Sequence, residues 1–161
     1  MNQFSSLKKK CAEWICSRCR EGGCELKWGA RRPPRAFIVD CERYKADKAI
    51  NTKVADCLFV KVGASTDIAV VELKGGNPDV ERAISQVQGG LDIGDGLLSG
   101  YRVDVCLPIL VHSRRLHADD YKMLGRKKVT FRGLQRLVLV AKSGDAVENL
   151  WSKNSSRYAV P

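Results

Sequence analysis

Apolar and polar positions recur along this chain with a period that changes from segment to segment. From Phe4 to about Cys19, the apolar residues Phe4, Leu7, Cys11, Trp14 and Ile15 fall at helical spacing and predict a helix. REGGCELKWGARRPPR, residues 20–35, interrupts it with glycines and prolines. AFIVDCERY, from Ala36, reads as a first strand, and the polar KADKAINTK after it as a loop or a short helical turn. VADCLFVKVGASTDIAVVELKGG, residues 54–76, contains two β-branched runs close enough to form a hairpin.

A helix start follows. Asn77 can cap it, Pro78 suits its first position, and Asp79 and Glu81 favour the positive end of its dipole. Val80, Ala83, Ile84, Val87 and Leu91 then share a face, and Gly89–Gly90 is expected to bend or stop the helix. YRVDVCLPILVHS, KKVTF and LVLVAK carry strand character, and DAVENLWSKNSSRYAVP a short helix or tail. Strands before, between and after helices predict an α/β or α+β domain with a mixed sheet. The composition shift before Pro34 suggests a Cys- and Arg-rich N-terminal helix and loop, residues 1–34, packed on a core domain of residues 35–161.

The 161 residues allow one domain with a substantial core, and 44% hydrophobic with 29% charged residues is a globular composition. No apolar run reaches membrane-span length, and no apolar stretch follows the basic start, so a cytoplasmic protein without a membrane role is expected. The net charge of +10, from 28 basic and 18 acidic residues, favours an anionic partner. Nucleic acid comes first, DNA ahead of RNA once the resemblance below is added, and an acidic protein or membrane surface comes second. The basic groups include Arg114–Arg115 and Lys127–Lys128, expected to hold phosphates without reading sequence. A merely solvated basic surface is the plainer reading.

The strand ending in Val-Val-Glu-Leu-Lys carries charge where core is expected. Glu72 and Lys74 share a face because residues two apart on a strand do. With Asp56 on the neighbouring strand they make two oxygen ligands and one cation, a set suited to Mg²⁺ or Mn²⁺. An edge salt bridge is the common alternative for such residues. A shared metal requires Asp56 and Glu72 on one face, hence an odd-length loop or a bulge between the strands.

ADCLFV, IAVVELKGG and VERAISQVQGG together resemble the PD-(D/E)XK phosphodiesterase superfamily over roughly residues 36–148. The resemblance implies a restriction-endonuclease-like mixed sheet flanked by helices, and a Mg²⁺-dependent deoxyribonuclease. Asp56 and Glu72 would be its metal ligands, Lys74 its catalytic lysine and Gln86 a supporting glutamine. The usual Pro-Asp pair is absent, since Ala55 precedes Asp56. Glu13, Glu21 and Glu42 are each candidates for a further acidic residue. A non-catalytic nucleic-acid- or protein-binding module on the same fold is the main rival. A structural interaction protein is the third.

Of the seven cysteines, Cys11, Cys16, Cys19 and Cys24 include one Cys-x-x-Cys pair. Zinc at these four ranks below thiols buried against the core. Cys41, Cys57 and Cys106 read as small core residues. In a cytosolic chain, thiols are expected over disulfides. His112 and His117 read as a strand-end and a surface histidine, and no nucleophile elbow or Walker loop is present.

Overall fold

A computed structural model describes residues 2–161. Helix α1, Gln3–Lys10, begins at Asn2, whose side chain accepts the Ser5 N–H at 2.9 Å. It ends well before Cys19. The chain passes through a 3₁₀ turn, Ala12–Trp14, into a short strand β1, Ile15–Cys16, which pairs with Val39 and Ile38. Leu7, Cys11 and Trp14 still reach the core. Their helical spacing is therefore real, but strand pairing overrides it from Ile15 onward.

Strands β2, Cys19–Glu21, and β3, Cys24–Leu26, form a hairpin. Its two-residue turn needs positive φ at both positions, supplied by Gly22 (56°) and Gly23 (77°). Strand β4, Ala36–Asp40, stops where Asp40 accepts the Arg43 N–H at 3.0 Å and caps α2, Cys41–Asp47. The expected strand through Tyr44 is thus half strand and half helix. Strands β5, Cys57–Val62, and β6, Thr66–Lys74, form the hairpin, followed by α3, Val80–Leu97. Asp79 is the true cap of α3 and accepts the Arg82 N–H at 3.1 Å. Strand β7, Val103–His112, precedes α4, Ala118–Leu124. Strands β8, Lys128–Phe131, β9, Leu134–Leu137, and β10, Leu139–Lys142, lead to α5, Val147–Asn154.

The main sheet has six strands in the order β1-β4-β5-β6-β7-β10. Pairings are antiparallel as far as β6, then parallel from β6 to β7 and from β7 to β10. This is a mixed sheet flanked by helices, an α/β architecture. Alternation along each strand divides the core between two faces. Leu58, Val60, Ile68 and Val70 belong to a first cluster with Val80, Ala83, Val87 and Leu91 of α3. Phe59, Ala69, Val71 and Leu107 belong to a second with Leu26, Trp28 and Trp151. A Cys19–Cys57 disulfide fastens the β2–β3 hairpin to β5, so two of the expected thiols are oxidised.

Helix α3 runs unbroken through Gly89 and Gly90. The expected break is absent because these glycines are contact points. A Cβ on Gly89 would lie 1.8 Å from the Lys53 carbonyl oxygen, and one on Gly90 2.5 Å from a Val70 methyl carbon. The missing side chains let α3 approach the sheet and the segment before β5. Among the described residues, no helix is long and apolar enough to cross a membrane.

Candidate functional site

The β5–β6 register places the first set of predicted residues. Val62 pairs with Thr66, so the loop is residues 63–65, odd in length as shared facing requires. The ladder runs to Cys57 opposite Val71, and the Asp56 N–H donates to the Val71 carbonyl at 3.0 Å. One step further, Asp56 comes alongside Glu72. Its Oδ2 accepts the Leu73 N–H at 2.7 Å. Glu72 is 1% exposed, its Oε1 lies 2.8 Å from Lys74 Nζ, and Asp56 is a second hydrogen-bond partner. Lys74 Nζ also donates to Gln86 Oε1 at 2.8 Å. The four residues singled out from sequence therefore meet at one end of the sheet.

Of the three candidate acids, Glu21 is the one that reaches Asp56, as a hydrogen-bond partner. It comes from the β2–β3 hairpin, whose Gly22 oxygen would lie 2.5 Å from a Cβ on Gly75. Burial, then the hydrogen bond to Glu21, then the Glu72 charge push the Asp56 carboxyl up to about 9. Burial also raises Glu72, against the lowering effect of Lys74. At neutral pH Asp56 accordingly holds a proton it can share with its neighbouring carboxylates.

The metal expectations are corrected by this arrangement. Among the described residues, no group of three or more His, Cys, Asp or Glu side chains is arranged to hold a metal ion. Asp56 is committed to the Leu73 N–H and to Glu21, and Glu72 to Lys74. Mg²⁺ or Mn²⁺ at Asp56 and Glu72 is thus overturned. The metal-dependent deoxyribonuclease built on it, with its nuclease, hydrolase and metal-binding character, falls with it. Zinc at Cys11, Cys16, Cys19 and Cys24 is overturned too. Cys19 is bonded to Cys57, Cys11 is buried in the first-face cluster, Cys16 donates to the Arg18 carbonyl, and Cys24 donates to the Val111 carbonyl.

A second feature lies beside this cluster. The parallel strands β6, β7 and β10 end in register, Lys74 opposite His112 and His112 opposite Lys142. Residues paired across a sheet share a face, so these three line one edge of the first face. Backbone bonds tie the strand exits together, from Ser113 N to the Lys74 oxygen at 3.2 Å and from Ser143 N to the His112 oxygen at 2.8 Å. The cleft outside these strand ends has a volume of about 570 Å³ and is lined by His112, Arg114, Arg115, Tyr121 and Lys142, with Ser113 and Ser143. A neighbouring cleft of about 500 Å³ shares Arg115 and Tyr121 and adds His117. Among the described residues no carboxylate lines either cleft. Among the described residues Arg114, Arg115 and Lys142 form no ion pair.

The structure thus brings Arg114 and Arg115 into a cleft and leaves the other predicted basic pair elsewhere. Lys127 pairs with Glu81 at 3.6 Å, and Lys128 is exposed at the start of β8. Sequence reasoning missed Lys142 and Tyr121. Lys142 joins the site only through the parallel β7–β10 pairing, which no local pattern announces. Comparison with known proteins finds no matching protein family, no matching curated protein and no matching solved structure.

Proposed function

We propose that this chain is a nucleic-acid-binding module that grips the phosphate backbone in the cleft at the ends of β6, β7 and β10. One observation carries the reading. Arg114, Arg115 and Lys142 converge on a cleft that, among the described residues, no carboxylate lines, at the carboxyl ends of parallel strands. Ligands favour this position in α/β sheets, where loops leave the strands and the backbone opens. Guanidinium groups free of internal partners suit the bidentate geometry of phosphate. The net charge of +10 adds long-range attraction. The scaffold is restriction-endonuclease-like. Its support is the order of Asp56, Glu72, Lys74 and Gln86 and their meeting at one sheet end.

Binding should be governed by counterion release. Affinity for a labelled oligonucleotide, followed by fluorescence anisotropy, should fall linearly with salt on logarithmic axes. Three neutralised phosphates predict a slope of roughly −2 to −3. Arg114→Glu with Arg115→Glu should weaken binding on every sequence alike. Absence of binding, or binding indifferent to salt, would overturn the reading and favour a protein partner.

A further inference from the structure

We infer that the cleft takes a single strand, with one unpaired base lying on the Tyr121 ring while Arg114, Arg115 and Lys142 hold the adjoining phosphates. This inference rests on the nucleic-acid reading above and narrows it. Tyr121 is 46% exposed, whereas Trp14, Trp28 and Trp151 are each at most 8% exposed. The chain therefore buries its largest rings and presents this one to water. Tyr121 also stands at a seam, because it lines both the cleft beside His112 and Lys142 and the one beside His117. A strand crossing from one cleft to the other passes over it.

The ring is carried on an anchored element. Leu116 and Leu124, on either side of it in sequence, are 3% and 2% exposed. The Tyr121 N–H donates to the His117 oxygen at 3.2 Å, and its carbonyl accepts the Gly125 N–H at 3.0 Å. Little ordering is left to offset when a base stacks on it. The bases of a duplex already cover each other's faces and offer only edges in the grooves. An unpaired base offers the π-face that an aromatic platform takes, whatever its identity. Arg115 lines both clefts beside the exposed ring and Arg114 and Lys142 line the first, so the cations such a strand requires lie along its path. A tyrosine also tolerates water at its hydroxyl when unoccupied.

The test uses the full chain with labelled oligothymidylate, labelled oligouridylate and a duplex of equal length, about 15 nucleotides, at one salt concentration. At least one single strand should bind more tightly than the duplex. Tyr121→Ala should weaken that complex about 5- to 150-fold, the range for loss of one stacked base, and weaken the duplex complex by less, so that the preference for the single strand is lost. Tyr121→Phe should retain the preference. The native tryptophans are buried, so Tyr121→Trp should add an exposed emission that the bound single strand quenches. Equal affinity for single strand and duplex, with Tyr121→Ala silent, overturns the inference. If Arg114→Glu still weakens both complexes, the backbone-binding reading survives that result. Failure of every oligonucleotide to bind overturns both.

Discussion

Glu72 Oε1 and Lys74 Nζ lie 2.8 Å apart, and the glutamate side chain is only 2% exposed. This pair is not the exposed strand-tip salt bridge that Glu-x-Lys suggests. An exposed pair contributes about 0–1 kcal/mol. A pair with one partner buried is expensive to break, because the remaining charge has no solvent. Lys74→Ala should therefore destabilise the fold by up to about 3–5 kcal/mol at neutral pH, read from urea midpoints. The loss should shrink in acid, where Glu72 takes up a proton. A melting temperature unchanged by Lys74→Ala would show that water reaches Glu72.

Asp56 predicts a pH dependence of opposite sense to ordinary acid unfolding. Its folded value is about 9, against 3.8 for the free side chain, chiefly through burial. Between these values the folded chain holds a proton that the unfolded chain releases. Stability should accordingly be highest below about pH 4 as far as this group is concerned, and should fall as pH rises towards 9. One fully linked proton gives at most about 1.4 kcal/mol per pH unit. Glu72, also raised by burial, acts in the same direction. Asp56→Asn keeps an acceptor for the Leu73 N–H and a donor for its carboxylate neighbours. It should flatten the slope and raise the melting temperature at pH 8. An unchanged slope in this variant would exclude the buried proton.

What could be read from the residues was what short-range pattern controls. The odd loop between β5 and β6 was expected only because a shared metal required it, and the observed loop of residues 63–65 has that parity although no metal group forms among the described residues. Asp79, Pro78 and Glu81 announced α3 to within two residues, although Asn77 is not the cap. Burial was not legible, because Glu72 becomes a core residue only when α3 and the β2–β3 hairpin cover its strand end. The end of α1 was hidden for a similar reason, since Ile15 and Cys16 leave helical spacing to pair with residues more than twenty positions away. Carboxylates at metal-ligand spacing did not make a metal centre, because Asp56 and Glu72 found partners in Leu73, Glu21 and Lys74.

The glycines of α3 separate propensity from packing. Replacing an interior helix glycine by alanine gains up to about 1 kcal/mol where space allows. A methyl group on Gly96 would meet nothing within 4 Å, so Gly96→Ala should be stabilising by about that amount. Gly90→Ala would drive its methyl against Val70 and Ala55, at 2.5 and 2.6 Å. It should cost about 1–3 kcal/mol through overpacking. Gly89→Ala meets the rigid Lys53 carbonyl at 1.8 Å and should be the worst of the three. Chemical denaturation of the three variants gives the order directly, and a stable Gly89→Ala would contradict the close helix–sheet approach.

The disulfide supplies a prediction that joins stability to the carboxyl cluster. Cys19 and Cys57 are 38 residues apart in sequence, and a closed loop of that size restricts the unfolded chain by about 4 kcal/mol on the chain-entropy account. Adding reductant should lower the urea midpoint correspondingly. A Cys19→Ala/Cys57→Ala variant should be as unstable as the reduced protein and indifferent to reductant. The same bond holds the strand that ends at Glu21, the hydrogen-bond partner of Asp56. Loosening the hairpin should weaken that bond and admit water, and both changes lower the Asp56 pKa towards its ordinary value. The fall of stability between pH 4 and 9 should therefore be shallower in the reduced protein than in the oxidised one. Equal pH slopes in the two redox states would show that the hairpin stays in place without its covalent tie, and that packing of Leu26 and Trp28 against the second face is enough to hold Glu21 over Asp56.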